Sequence, residues 1–156
     1  MKIFEGDKQA KNLHLAIIQS KFNENISERL LAGALSCLRE NGMDEKNIHI
    51  IKVPGAFEIP FTAEKLARRK KYDAIICLGA VIKGETAHFE YISNAAADGI
   101  LQVGLKFETP VIFGVLTAYT EEQAEARAGE KENNKGWEAA EAALEMANLA
   151  KKLNNL

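Results

Sequence analysis

The sequence predicts an α/β protein, namely a three-layer α/β/α sandwich around a mainly parallel, four-stranded sheet. Four apolar runs of strand length recur along the 156 residues, and each is followed by a segment with helical periodicity. Strands that alternate with helices indicate βαβ crossovers. A chain of this length fits one domain, residues 1–156, in which residues 1–12 are expected to form an extended amino-terminal segment.

The strands are expected where the chain is almost continuously apolar, which is typical of a parallel sheet covered on both faces. These runs cover residues 14–19, 48–53, 74–82 and 110–117. Apolar residues recur at helical spacing over residues 26–41, and Gly42 is a typical stop signal. The next two helices are expected at about 59–71, which ends in four cations, and at about 89–107.

Two more helices are expected near the carboxyl terminus. Thr120 and Gln123 have the spacing of a capping box, which predicts a helix that begins there and ends at Gly129. An Ala-rich segment predicts a last helix from about residue 137. Its buried face is expected to contain Trp137, Ala140, Leu144, Met146 and Ala147.

Composition and charge exclude several classes of function. A net charge of −2 and a pI near 6.0 provide no basic surface for nucleic acid. No apolar stretch approaches the roughly 20 residues that span a bilayer, and the amino terminus lacks a signal-peptide core, so a cytoplasmic protein without membrane contact is expected. Cys37 and Cys77 lie far apart without a CxxC motif and are expected to be reduced core residues.

A phosphate-loop-like segment follows the third predicted strand. Residues 79–86 (GAVIKGET) have the G-x-x-x-x-G-x-T spacing, but Glu85 stands where a nucleoside triphosphate loop requires lysine, which argues against ATP or GTP. The turn at Gly84 either caps the next helix or presents free N–H groups to a single anion such as a monophosphate. His88 follows this turn, and histidine is the side chain whose reference pKa in peptides, about 6.5, suits general acid/base chemistry near neutral pH. His14 and the other strand histidine, His49, are expected to be structural.

Other side chains after strands have both a structural and a ligand-binding interpretation. Phe22 is either an aromatic wall of a site or part of a hydrophobic staple. Glu58 either caps a helix or accepts hydrogen bonds from ligand hydroxyls. Arg127 and Lys135 either bind a phosphate or are solvated charges. No metal-ligand cluster and no nucleophile triad is defined, so the residues alone indicate a metal-free acid/base site beside a monophosphate pocket.

Two segments, 54–60 (PGAFEIP) and 79–91 (GAVIKGETAHFEY), resemble the lumazine synthase family, with similarity in register from about residue 13 to 149. The resemblance implies a flavodoxin-like fold. It also implies a transferase that condenses 5-amino-6-(D-ribitylamino)uracil with 3,4-dihydroxy-2-butanone 4-phosphate, in the penultimate step of riboflavin biosynthesis. The products are 6,7-dimethyl-8-ribityllumazine, phosphate and water, and neither a cofactor nor a metal is implied.

The resemblance further implies which residues bind the substrates. Phe22 would stack on the pyrimidine ring, the segment after the second strand would receive the ribityl chain, and the end of the third strand would line the ring edge. These segments contribute Ala56, Phe57, Glu58, Ala80, Val81 and Ile82. The backbone of Glu85 and Thr86 would bind the phosphate, with Arg127 closing on it and Lys135 assisting, while His88 moves protons.

The resemblance implies a homo-oligomer as well. Family members form pentamers with sites between subunits, so Phe113 would border the pocket of a neighbouring subunit. The compact turn at 129–136 favours an icosahedral shell of pentamers, and riboflavin synthase is a candidate partner. Four positions depart from the family pattern, namely Ala118, Tyr119, Asn133 and, as a minor change, Lys21 in place of arginine.

Two other functions stay open from the sequence. One is a different phosphosugar-handling α/β enzyme that shares the anion site near His88. The other is a flavin- or lumazine-binding or shell-forming protein without activity. Substrate specificity would separate the first from the family activity, and the presence of His88, Arg127 and Glu58 argues against the second.

Overall fold

The computed structural model describes all 156 residues and contains four strands and five α-helices. All strand pairs are parallel, and the strand order is β2-β1-β3-β4. The strands are β1 Leu15–Ser20, β2 Ile48–Val53, β3 Ala74–Ile82 and β4 Val111–Ala118. The helices are α1 Glu24–Glu40, α2 Ile59–Ala67, α3 His88–Phe107, α4 Glu121–Ala126 and α5 Lys135–Leu153.

The helices cover both faces of the sheet. Helices α1 and α5 pack against each other and against one face, and α2 and α3 pack together on the other. Each face therefore has its own apolar core, with the central strands β1 and β3 contributing alternate side chains to both. The predicted three-layer α/β/α sandwich is confirmed, and its strand order is that of a flavodoxin-like sheet.

The four predicted strands are confirmed, each to within one residue at either end. The reason is the depth of the sheet: β1 is buried along its whole length, and β3 is buried up to its last residue. Strands that have water on neither face must be apolar throughout, so their sequence pattern marks them directly.

Four helix boundaries differ from the sequence prediction by two residues or more. Helix α1 begins at Glu24, two residues before its predicted start. Helix α2 ends at Ala67, before the basic residues, because the chain turns there and Lys70 adopts a positive φ of 48°. Helix α4 ends at Ala126 rather than at Gly129, whose N–H bonds to the carbonyl of Asn133 in the following turn. Helix α5 begins two residues early, at Lys135.

The buried face of α5 was also predicted wrongly at one position. Met146 is exposed, whereas the buried positions are Ala139, Ala140, Ala143, Leu144 and Ala147. At 3.6 residues per turn, a residue two positions after Leu144 points to nearly the opposite side of the helix. Trp137 is half-buried and packs at the edge of the core.

The amino-terminal residues 1–10 contain neither helix nor strand. Part of this segment runs along α5, where Asn148 and Lys152 bond to Asp7. No helix of the protein combines the length and apolarity that crossing a membrane requires.

Candidate active site

A cavity of about 560 Å³ opens at the carboxyl ends of β1, β2 and β3. This is the edge of a parallel sheet at which ligands bind, and the volume suits a small molecule. We call it the His88 cleft. Its lining includes Phe22, Asn23, Pro54, Gly55, Ala56, Phe57, Glu58, Ala80, Val81, Ile82, Gly84, Thr86, His88, Phe89 and Ile92.

The wall after β1 is formed by Phe22, whose side chain is 72% exposed to solvent in the cleft. Its backbone N–H donates to the carbonyl of Pro54 at 3.0 Å. Next to it, Asn23 adopts a left-handed conformation with φ 55° and donates from Nδ2 to the carbonyl of Ala80 at 2.9 Å. The staple interpretation of Phe22 is wrong, because the residue at the partner position of the helix is the polar Ser27.

The wall after β2 is a short turn that ends at Glu58. A 3-10 turn, Ala56–Glu58, leads directly into α2, whose first turn contains Pro60. Glu58 stands at the capping position of α2 but makes no side-chain capping bond there. The capping interpretation is therefore wrong, and the exposed carboxylate remains available to accept hydrogen bonds from a ligand.

The third wall is the connection from β3 to α3, residues 83–87. The residue that precedes α3, Ala87, has no side chain that can cap the helix. Thr86 Oγ1 accepts a long hydrogen bond of 3.4 Å from the N–H of His88, the first helical residue. The turn is exposed, so its remaining N–H groups and the positive end of the helix dipole are available to an anion.

Charge near this turn comes from an ion pair. Lys83 Nζ lies 3.2 Å from Glu90 Oε1. The backbone N–H of Glu90 and then the ammonium of Lys83 hold the pKa of the Glu90 carboxyl below its usual range. Glu90 is therefore ionised at neutral pH and holds the Lys83 ammonium beside the turn.

A second cavity, of about 600 Å³, contains three more of the predicted site residues: Phe113, Arg127 and Lys135. The remaining one, Glu85, is exposed in the turn before α3 and lines neither cavity. The second cavity lies between the edge strand β4 and the connection from α4 to α5, and it shares no residue with the His88 cleft. We call it the Arg127 cavity. Arg127 donates to the carbonyl of Gln123 at 3.2 Å, and Lys135 pairs with Glu138 at 2.8 Å. Within one chain these residues thus lie apart from His88.

The two remaining histidines lie near the amino ends of strands, away from the cleft. His49 Nδ1 is 2.7 Å from the hydroxyl of Tyr72, and the backbone N–H of His14 donates to Asp73 at 2.7 Å. Sequence reasoning did not identify Phe89 and Ile92 as cleft residues. The signal available for Ile92 was its spacing of four from His88, which places both on one helix face.

The fold and the cleft together define a class of protein. An α/β sandwich with an aromatic wall, a free carboxylate, an imidazole and an exposed turn at a helix amino terminus, all at one sheet edge, has the groups that an enzyme needs to act on small hydroxylated and phosphorylated molecules.

The chain matches the family model of 6,7-dimethyl-8-ribityllumazine synthase over residues 12–151, and it belongs to that family. It is a transferase of riboflavin biosynthesis that condenses 5-amino-6-(D-ribitylamino)uracil with 3,4-dihydroxy-2-butanone 4-phosphate. The family acts on small molecules and assembles as homo-oligomers. Because the match covers nearly the whole chain, it favours this activity over the two alternatives left open by the sequence.

Proposed function

We propose that the condensation takes place in the His88 cleft. The observation that carries this proposal is that one cavity joins the ring of Phe22, the carboxylate of Glu58, the exposed turn before α3 and the imidazole of His88. The cleft thus offers an apolar surface for a flat ring, acceptors for a polyol, N–H donors for a phosphate and a group that exchanges protons. These are the contacts that the two substrates of the family need.

The ribitylaminouracil is proposed to bind between the walls that follow β1 and β2. Its pyrimidine ring stacks on Phe22, whose exposed ring offers apolar area at little conformational cost. Its ribityl hydroxyls donate to the carboxylate of Glu58 and bond to the backbone of Ala56 and Phe57. The edge of the ring lies against the end of β3, at Ala80, Val81 and Ile82.

The phosphate of the second substrate is proposed to bind at the backbone N–H groups of Glu85 and Thr86. Arg127 and Lys135 supply cations to the same phosphate from a neighbouring subunit, and Phe113 borders the pocket from that subunit too. Two observations support this arrangement. The three residues lie together in one cavity, and that cavity is separate from the His88 cleft within a single chain.

His88 is proposed to move protons between the reacting atoms. Imine formation expels the ketone oxygen as water, and phosphate elimination then removes a proton from the carbon between the imine and the phosphate-bearing carbon. Elimination leaves an enol, which takes up a proton on its terminal carbon and becomes a ketone; ring closure by the ribityl-bearing amine then expels that ketone oxygen as water. Each step takes up or releases a proton, which an imidazole can exchange near neutral pH. Holding the two substrates together contributes a further part of the rate, with a ceiling of roughly 7 to 11 kcal/mol.

The test is the substitution His88→Ala in the assembled protein. We expect kcat to fall by about 10²- to 10⁴-fold, the usual contribution of a general acid/base, while residual turnover persists because substrate positioning is intact. Lumazine absorbance and released phosphate are followed together. The matched control is His14→Ala, which removes an exposed imidazole outside the cleft and is expected to be neutral. Wild-type kcat in the assembled His88→Ala protein would remove His88 from the mechanism.

We also propose that the oligomer is a pentamer that builds an icosahedral shell, located in the cytoplasm and able to associate with riboflavin synthase. Support for a large interface comes from exposed apolar side chains on α2 and α3, which a monomer would leave in water. They are Phe61, Tyr91, Leu101 and Leu105. Sedimentation of the purified protein is expected to show a shell, and a stable monomer would contradict the proposal.

A further inference from the structure

The end of β4 and the residue that follows it contact the turn before α3 from outside the His88 cleft. The backbone N–H of Lys83 donates to the carbonyl of Ala118 at 2.9 Å. The next residue, Tyr119, packs its ring against Phe89, with ring centroids 5.9 Å apart and an angle of 40° between the planes. Since Phe89 lines the cleft and Tyr119 does not, Tyr119 supports the cleft wall from behind.

The side chain of Lys83 connects this contact to the start of α3. Its Nζ lies 5.6 Å from the centroid of the Tyr119 ring and 3.2 Å from Glu90 Oε1. The ammonium is therefore held between an aromatic face and a carboxylate. The side chains of Lys83, Tyr119, Glu90 and Phe89 thus lie at the two ends of the turn. We call these four side chains the Tyr119 cluster.

The turn has few other contacts to fix its conformation. A Cβ at Gly84 would meet no atom within 4 Å, and residues 83–88 are all exposed. The one side-chain hydrogen bond inside the turn, from the His88 N–H to Thr86, is long at 3.4 Å. A loop that is not already ordered loses conformational freedom when it binds a ligand, which weakens the binding. The Tyr119 cluster is thus the main structural support of this turn.

We propose that Tyr119, acting through Lys83 and Phe89, is a positioning residue that preorganises the turn for the phosphate of 3,4-dihydroxy-2-butanone 4-phosphate. This inference rests on the proposed binding of that phosphate at Glu85 and Thr86. Tyr119 contacts neither substrate in this arrangement. Its ring sets affinity for the phosphate substrate and leaves the ribitylaminouracil site, on the other walls of the cleft, unchanged.

The test is Tyr119→Ala, with both substrates titrated separately. We expect the KM for the phosphate substrate to rise by about 2- to 10-fold, the range over which loss of one aromatic pair or one exposed cation–π contact shifts an equilibrium. The inhibition constant of inorganic phosphate, used as a minimal probe of the same turn, is expected to rise by the same factor. The KM for the ribitylaminouracil is expected to stay within about twofold, because Phe22 and Glu58 are untouched.

Two further variants separate positioning from a general structural effect. Tyr119→Phe keeps the ring and both of its contacts, so it is expected to behave as the wild type. Lys83→Met removes the ammonium and is expected to raise the same KM. In the double variant the two effects are expected to be less than multiplicative, because both substitutions remove one shared contact.

Several outcomes would overturn the inference. The inference fails if Tyr119→Ala leaves the KM for the phosphate substrate unchanged. It also fails if, in an assembled protein, the KM values for the phosphate substrate and the ribitylaminouracil rise equally. Failure of Tyr119→Phe to restore the wild-type values would exclude the ring as the functional group. If His88→Ala slows turnover while Tyr119→Ala leaves phosphate binding unchanged, only this inference fails. If His88→Ala is neutral as well, the proposed site itself is wrong.

Discussion

Burial separates the side chains that can react from those that cannot. Cys37 and Cys77 are free thiols that lie fully inside the two cores. Burial raises the pKa of the Cys37 thiol to about 11, and it raises the pKa of the Cys77 thiol as well. Because the thiolate is the nucleophile, neither cysteine is reactive at neutral pH in the folded protein. His88, in contrast, is exposed to the cleft.

The cysteines therefore predict a difference in labelling between the folded and unfolded protein. At about pH 8, an aromatic disulfide reagent is expected to leave the native protein unmodified and to label both cysteines after denaturation, when their pKa returns to about 8.5. The same rise in thiol pKa also makes the stability of the fold depend on pH. A raised folded pKa means that the neutral thiol stabilises the fold at low pH, and that this contribution declines as pH rises toward the folded pKa of Cys37, about 11. Stoichiometric labelling of native protein would contradict the burial of the thiols.

Other residue roles needed the structure because two interpretations shared one sequence pattern. Phe22 and Glu58 both precede helices, so each could have packed on or capped its helix instead of facing a ligand. The structure decides these cases through a single neighbour or a missing bond: Ser27 at the staple position, and no capping bond from Glu58. Sequence spacing locates such residues but does not orient their side chains.

At the level of elements, the strands were predictable and several helix ends were not. The apolar runs suffice for the central strands β1 and β3 because these are buried on both faces, while the edge strands β2 and β4 are partly exposed. The start of α5, however, is set by Asn134, whose side chain accepts bonds from the N–H groups of Gly136 and Trp137. That side chain also donates to the carbonyl of Arg29, 105 positions away. The cap itself is a local signal, since Asn is a preferred residue at that position, but the bond to Arg29 leaves none in the local sequence.

The close packing of α1 against α5 gives a prediction at this scale. A Cβ at Gly136 would collide with the backbone carbonyl of Leu30, which cannot move independently of α1. Gly136→Ala is therefore expected to lower the free energy of unfolding by about 1 to 3 kcal/mol, measured by chemical denaturation. The control is Gly84→Ala, where the new methyl group meets no atom within 4 Å and a change within about 0.5 kcal/mol is expected. Equal stability of the two variants would show that the helices can separate at no cost.

The site was predictable in part because the strands of the sheet are parallel. Segments that follow β1, β2 and β3 had to meet at one sheet edge, and they do form the His88 cleft. Arg127 and Lys135 were not separable from this group by sequence, because both also come after a strand. In the structure they lie beside β4, the edge strand, where they form a cavity with Phe113.

At the scale of the whole molecule, the proposed phosphate-binding site is divided between two separate cavities of each chain. The His88 cleft has N–H donors and the imidazole, and the Arg127 cavity has the guanidinium and the Lys135 ammonium. In a closed ring of identical subunits, the surface that contains the His88 cleft of one chain would meet the surface that contains the Arg127 cavity of its neighbour. Every subunit then completes one neighbouring site, so a ring has as many complete sites as chains.

Shared sites predict that two impaired variants restore each other when they assemble together. Arg127→Ala is expected to raise the KM for the phosphate substrate because a bidentate cation is lost, and His88→Ala lowers kcat. If each site takes His88 and Arg127 from different chains, random co-assembly of equal amounts leaves roughly a quarter of the sites with both wild-type residues. Activity at low phosphate-substrate concentration is then expected to exceed that of either variant alone. Mixing the two proteins after separate assembly is the control and should give only their average. Co-assembled rings that also give only that average would contradict shared sites. His88 and Arg127 would then act within one chain, where no mixture of the two variants supplies both residues, or they would not act at one site.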